Sequence, residues 1–305
     1  MSHSLRFQLM VLPSATWPEF VNQAQQAENM GFDMLGLADH FVDWTAPERP
    51  WFELWTHAAA IAQATSKIRI CTCVAQIQLR DPATLANHAL TVDHISNGRL
   101  ELGLGIGIRV DPSYEMMGLE NWSNGERVDR FGEYVEIVDQ LLRNEVTTYQ
   151  GRYYSVKEAV MNPRPIQQPR PPILIAAMGP RMLRRAARYA DNWNSLSFLD
   201  TSAAQCEETL GRVAQVDDLC ADLGRDPTTL RKSYQVVDMS GRTSGGRLRY
   251  YDSEQAFIDV VEPLIEGGIS EFGLYYPPLP EQIPMMERIA SDTIPTLKKK
   301  YVSGI

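Results

Sequence analysis

Short apolar, β-branched runs alternate along this chain with longer stretches whose apolar residues recur every three or four positions. That is the pattern of strands buried on both faces, each followed by an amphipathic helix. "RFQLMVL" (6–12) predicts the first strand. "TWPE" (16–19) reads as a capping box, with Thr16 as N-cap, Glu19 three residues on and Pro18 in the first turn. The helix it opens carries Phe20, Ala24, Ala27 and Met30 on one face and stops at Gly31. The same reading gives strands at "DMLGLAD", "KIRICTCVA", "RLELGLGIG", "PILIAAM", "NWNSL", "LRKSYQVVDM" and "SEFGLYY". Helices are predicted at "ELWTHAAAIAQAT", "PATLANHALTVDHIS", "RVDRFGEYVEIVDQLL", "GPRMLRRAARYAD", 203–223, 253–266 and 281–291.

Eight strands alternating with helices imply parallel pairing with right-handed crossovers. At this length they predict an α/β fold of one domain, residues 1–305: a closed (β/α)8 TIM barrel. Insertions are expected at about 109–125, 146–172 and 240–252. Within the second, "VTTYQGRYYSV" predicts a hairpin through Gln150-Gly151, and the proline-rich "NPRPIQQPRPP" a fixed connection to the fifth strand. An open doubly wound sheet would carry Gly-x-Gly-x-x-Gly near its first strand. Here Gly103, Gly105 and Gly107 follow the fourth and lack that spacing. A P-loop is excluded, because no Gly-Lys pair occurs.

Composition narrows the function classes. The chain has 305 residues, 44% hydrophobic, with 29 basic and 38 acidic residues for a net charge of −9. A nucleic-acid footprint needs a clustered positive field, so nucleic acid is not the expected partner. No apolar run approaches the roughly 20 residues of a membrane span, and the first residues lead into a strand rather than a signal peptide. Four cysteines, with Cys71 and Cys73 badly placed for a mutual disulfide, suggest a reduced, cytoplasmic setting.

In a barrel the carboxyl ends of the strands ring the active site. "MLGLADHFVDW" (34–44) then brings Asp39, His40 and Trp44 to the mouth. A histidine there can move a proton near neutral pH, and a tryptophan offers a flat face to a ring. The stretch also fits an ordinary helix start, with Asp39 as cap and Trp44 packed. Cys73, Val74 and Gln76 reach the mouth from the third strand, and Gly105, Ile106 and Gly107 from the fourth. The alternate glycines would let a flat ligand lie on bare backbone, or they mark a tight barrel corner. "AAMGPR", that is Ala176, Ala177, Met178, Gly179, Pro180 and Arg181, ends the fifth strand at a proline-started helix. Such a turn can cradle an anion, and is also a common strand–helix connection. "SGRTSGGRLRYYD" (240–252), with three arginines, could form a mobile lid or a plain surface loop. No metal is expected, since His88 and His94 are six apart on one helix without a carboxylate cluster. Lys298-Lys299-Lys300 reads as a solvated helix end.

These residues carry a resemblance. "LGLADHF", "ATSKIRICTCVAQIQLRDPATLANHALTVDHISNGRLELGLGIG", "ERVDRFGEYVEIVDQLL", "YQGRYYSV", "NPRPIQQPRPPILIAAMGPRMLRRAARYADNWN" and "GRDPTTLRKS" cover most of residues 5–235. They resemble the bacterial luciferase-like family of flavin- and deazaflavin-dependent oxidoreductases. The resemblance implies a barrel with the deazaflavin coenzyme F420, or FMN, at its mouth, acting on a small organic substrate. It further implies a homodimer and, for the reduced coenzyme, a flavin or F420 reductase as partner. Asp-His-Phe with a tryptophan four after the histidine resembles the deazaflavin branch, whereas FMN-dependent members usually show Glu-His-His. The match gives His40 and Trp44 places beside the reactive ring carbon and Asp39 one on the ring's polar edge. It makes Cys73–Val74 a non-prolyl cis peptide against the ring, and sets Ala176–Gly179 by the coenzyme tail. Ile108 departs from the pattern, standing where the sugar-phosphate dehydrogenases of this branch carry a glutamate. The expected activity is hydride transfer to or from the deazaflavin. The alternatives are an FMNH2-dependent monooxygenase, and a flavin-binding barrel without turnover.

Overall fold

The computed structural model describes residues 3–242 and 246–301. The first half runs β1 (Arg6–Met10), α1 (Trp17–Asn29), β2 (Met34–Leu37), α2 (Leu54–Ala64), β3 (Arg69–Thr72), β4 (Ala75–Gln76), α3 (Pro82–Ile95) and β5 (Leu100–Gly105). An insertion follows with α4 (Ser113–Met116), α5 (Asn124–Arg143) and the pair β6 (Thr147–Gln150) and β7 (Ser155–Ala159). The second half runs β8 (Ile173–Ala176), α6 (Pro180–Tyr189), β9 (Asn192–Leu196), α7 (Ser202–Asp222), β10 (Arg231–Gln235), α8 (Glu254–Glu266), β11 (Glu271–Tyr275), α9 (Ile283–Arg288) and α10 (Ile294–Lys300).

The large sheet has the order β3-β2-β1-β11-β10-β9-β8-β5-β4, and a β3–β5 pairing closes the ring. With β4 counted as the continuation of β3, this is the expected eight-stranded parallel barrel. Every residue of β2 and of β5 is buried, which explains why β2 reads as an unbroken apolar run and why the one charge in β5, Glu101, is paired with Arg69. The described chain forms two compact units. One takes the first strand, Gln26–Gly36 and the chain from Ala177 on; the other takes Leu12–Gln25 and Leu37–Ala176. Phe7 anchors the first, stacked on Phe272 at 5.6 Å and tilted against Phe257 at 6.1 Å. The second is cored by Phe20 and by Phe131, Val135, Val138 and Leu142 of α5, all buried.

Most local expectations are met. Glu19 reaches back to the backbone N–H of Thr16 at 3.0 Å, one arm of the capping box. The hairpin pairs Gln150 with Ser155 in an antiparallel ladder. The proline-rich connection is firmly tied. The Asp93 carboxylate accepts from the N–H groups of Ile166 and Gln167 at 2.8 and 3.2 Å, and Arg164 donates to the Leu142 carbonyl at 2.6 Å. Three expectations are corrected. The third strand breaks in two, with a cis Cys73–Val74 peptide between the halves. The final helix extends to Lys300 through a π-helical turn at Ile289–Thr293, because Ile294 and Leu297 continue its buried face. Lys298 is not simply solvated: its ammonium pairs with Asp33 at 2.7 Å.

Candidate active site

His40 follows the carboxyl end of β2, in a loop that continues to the Glu53 cap of α2. It is not at a helix start, so that simpler reading does not hold. Its ring is 17% exposed, and its Nδ1 lies 2.6 Å from a carboxylate oxygen of Asp111, which is fully buried. Asp111 sits in the insertion after β5, and its other oxygen accepts from the Ser113 N–H at 2.8 Å. Burial pushes the Asp111 carboxyl up, but the bonds from His40 and Ser113 outweigh it and hold it down at about 2. An ionised carboxylate can only accept, so Nδ1 carries the hydrogen. Among the described residues no hydrogen bond engages Nε2. Ser113 adds a second tie, its hydroxyl accepting from the Phe41 N–H at 3.0 Å.

Gln76 knits this arrangement together. Its N–H donates to Asp39 at 2.9 Å, its side-chain amide donates to the Asp39 carbonyl and toward Asp111, and its Oε1 accepts from the Tyr114 hydroxyl. Tyr114 is fully buried, and burial raises its hydroxyl against the opposing pull of Arg127, which keeps it a neutral donor. Arg127, also fully buried, donates to the Ile106 carbonyl at 2.6 Å and to Asn121 at 2.7 Å. It thereby clamps the insertion onto the end of β5. Asp39 is buried too, and its carboxylate is gripped by Arg80 at 2.6 and 3.0 Å. Arg80 bridges on to Glu53 at 2.8 Å. Burial would raise the Glu53 carboxyl, yet the bonds from Thr56 and Arg80 bring it to about 2.

The glycines of β5 and just beyond its end are crowded by the chain's own atoms. A Cβ on Gly103 would run into the Thr72 carbonyl oxygen, and one on Gly105 into the Val74 side chain. Gly107 has φ +67°, and a Cβ there would strike Tyr114 and Gln76. These close approaches account for glycine at all three positions. The Cys73–Val74 peptide beside Gly105 is cis, as the resemblance implies.

Trp51 meets His40 edge-on at 5.6 Å between centroids. Trp44 is half-buried in the same loop. Ala177 is buried, accepting from the Trp193 indole at 2.8 Å and donating to the Asn194 carbonyl at 3.0 Å. Met178, Gly179, Pro180 and Arg181 are exposed, with open space about Gly179 and no side-chain cap on α6. Of the 240–252 stretch, residues 243–245 and the side chains of Ser240 and Arg242 lie outside the described residues. The rest is tied down: Leu248 exchanges two bonds with Gln282 at 2.9 and 2.7 Å, and Tyr250 and Tyr251 are buried. Arg247 pairs with Asp252 at 2.7 Å.

Comparison with known proteins gives this constellation its context. The family model described as luciferase-like monooxygenase matches residues 1–267. The chain belongs to the luciferase-like family. Among its luciferase-like relatives is the F420-dependent hydroxymycolic acid dehydrogenase of Mycobacterium tuberculosis, 31% identical over 223 residues, 72% of this chain and 59% of that protein. The F420-dependent glucose-6-phosphate dehydrogenase of Segniliparus rotundus is 30% identical over 225 residues, 72% of this chain and 63% of that protein. The luciferase-like chain thus spans about six-tenths of the length of these curated relatives. A solved F420-dependent secondary alcohol dehydrogenase, in complex with an F420–acetone adduct, superposes with a TM-score of 0.79 at 18% identity. The match covers 95% of this chain and 99% of that one. At that identity the likeness is one of fold.

Sequence reasoning singled out His40, Asp39 and Gln76 of this constellation and missed Asp111, Arg80, Tyr114, Arg127 and Trp51. "DPS" at 111–113 carried a signal, since an aspartate two residues before a free N–H is a turn former. Nothing local tied it to His40.

Proposed function

We propose that this chain is an F420-dependent oxidoreductase in which His40 exchanges a proton with a small organic substrate. The observation that carries the reading is the His40–Asp111 pair. The buried carboxylate fixes the tautomer and orientation of the ring and leaves Nε2 open to accept or return a proton. The deazaflavin, when bound, would supply the matching hydride. Both F420-dependent relatives and the Asp-His-Phe motif support that coenzyme over FMN. The residues fit such a group. His40 is partly open where Asp39 and Gln76 are closed, so we assign Asp39 and Gln76 to positioning, and Cys73, Val74, Gly105, Ile106 and Gly107 to the ring's surroundings. Ala176 to Arg181 carry over as tail residues from the resemblance, and the open, uncapped start of α6 suits an anionic group. Trp44 keeps its place beside the ring on the resemblance alone.

The test is direct. Dissociation constants for F420 and FMN are measured by fluorescence quenching, and F420 is expected to bind more tightly. FMN binding tenfold tighter, about 1.4 kcal/mol, would reverse the assignment. His40→Ala should keep F420 affinity while lowering turnover roughly 10²–10⁴-fold, the usual range for an acid–base group. The family's monooxygenase description supports a second reading, FMN-dependent oxygenation, whose signature is oxygen uptake coupled to turnover.

A further inference from the structure

The loop bearing His40 and the insertion bearing Asp111 both expose large apolar side chains. Phe41 is 52% exposed, Val110 74%, Met116 53% and Met117 39%. Phe41 adjoins His40 in sequence and Val110 adjoins Asp111. The two segments are joined by the His40–Asp111 bond at 2.6 Å and the Phe41–Ser113 bond at 3.0 Å. The apolar side chains therefore belong to one small structure, and they ride on the same pair of segments that hold the proton-handling ring. Exposed apolar surface forfeits about 25 cal/mol per Å² of burial, so a cluster of this kind usually has something to cover it.

Charge narrows what that occupant is. Residues 108–119, "IRVDPSYEMMGL", hold three ionic side chains. Asp111 is committed to His40, which leaves Arg109 and Glu115, one of each sign. Across the joint, the Arg49 guanidinium lies 3.7 Å from Asp43. A phosphorylated or polycarboxylate substrate would call for several uncommitted cations, of the kind that grip such groups, and these segments offer one. Methionines add an adaptable apolar surface that tolerates ligands of varied shape.

We propose that the substrate is a neutral, largely apolar alcohol or ketone, whose oxygen meets His40 and whose hydrocarbon part lies over Phe41, Val110, Met116 and Met117. The inference rests on the oxidoreductase reading for the oxygen, and on the exposed side chains alone for the hydrocarbon.

The experiment is a binding series on the purified full chain, read by tryptophan fluorescence, with methyl ketones from 2-butanone to 2-undecanone and glucose 6-phosphate as the anionic comparator. Affinity should climb with chain length, by up to about fourfold for each methylene that becomes fully buried. Glucose 6-phosphate should bind at least tenfold more weakly than the longest ketone. Met116→Gln combined with Val110→Thr should cut the chain-length slope by about half, and Phe41→Ser serves as a second variant if the first melts early. A flat series, a slope unchanged in both variants, or tighter glucose 6-phosphate would overturn the inference. So would a dimer, seen by sedimentation, that Val110→Lys dissociates while the slope stays as it was, since the patch would then be an interface between copies. Turnover with F420 is assayed separately. A steep slope without turnover sinks the oxidoreductase reading and leaves the ligand class standing. Turnover on a polar substrate with no slope does the reverse.

Discussion

Asp111 accepts the Nδ1 hydrogen of His40 at 2.6 Å, across 71 residues of chain. The carboxylate is fully buried and stays ionised to about pH 2, so it acts as a fixed orienting charge and not as a proton carrier in the working range. Asp111→Asn preserves shape but lets the ring adopt either tautomer. Turnover should fall by one to two orders of magnitude, with KM changed less than kcat. Nitrogen-15 spectra of His40, taken in alkaline solution where the ring is neutral, should show one tautomer in the parent and a mixture in the variant. A variant with a single unchanged tautomer would remove Asp111 from this positioning role.

Gly103 separates two accounts of the glycines in β5. A methyl group there meets the Thr72 carbonyl, a backbone atom with nowhere to go. Gly103→Ala is expected to cost about 1–3 kcal/mol, the usual range for overpacking, with F420 affinity per folded molecule unchanged. Denaturant titration beside a coenzyme titration checks it. Full stability with weakened coenzyme binding would restore the bare-backbone reading.

What was legible in the sequence was what repeats locally. "NWNSL" is β9 to the residue, and the stripe of Val128, Phe131, Val135, Val138 and Leu142 is the buried face of α5. Strand and helix periods are properties of a short window, and the alternation of the two predicts the barrel. His40 was legible because a polar ring at the end of a buried strand breaks the pattern. Asp111, Arg80 and Trp51 were not. Each acts through a partner brought near by the fold, Asp111 from an irregular insertion and Trp51 from a loop, where no period exists to read. The glycines show the same limit from the other side. Their spacing was visible, but whether ligand or Thr72 and Val74 filled the space depended on the neighbouring strand.

Arg80 tests how the mouth is held up. Its guanidinium spans the carboxylates of Asp39 and Glu53, with Asp39 almost wholly buried. Arg80→Met would leave the Asp39 charge in place without its partner, a change that typically costs about 3–5 kcal/mol. The double variant Arg80→Met with Asp39→Asn should recover part of that loss, because the unpaired charge is gone. Urea titrations of both variants give the comparison. If Arg80→Met alone costs under about 1 kcal/mol, the bridge is solvated and contributes little to the site's rigidity.

His57, on α2, sets the pH dependence of stability in mildly acid conditions. Burial pulls its pKa down to about 4 from an ordinary 6.5, despite the nearby charge of Glu53. Between those two values the unfolded chain takes up a proton that the folded chain refuses. Stability is therefore complete above about pH 6.5 and is lost as the pH falls toward 4, by about 3 kcal/mol at most from this group. Asp111 and Glu53 are shifted in the same direction but from lower ordinary values, with carboxyls held at about 2. Their contribution persists down to about pH 4 and is lost only below it, so the two windows are separate. His88, its pKa also lowered chiefly by burial, adds to the first in the same direction. Denaturant unfolding at pH 7, 5.5 and 4 should show stability falling across the series in the parent, and His57→Leu should remove most of the fall. A parent protein equally stable at pH 7 and pH 4, or a leucine variant with the parent's full slope, would show that the ring takes its proton within the folded state.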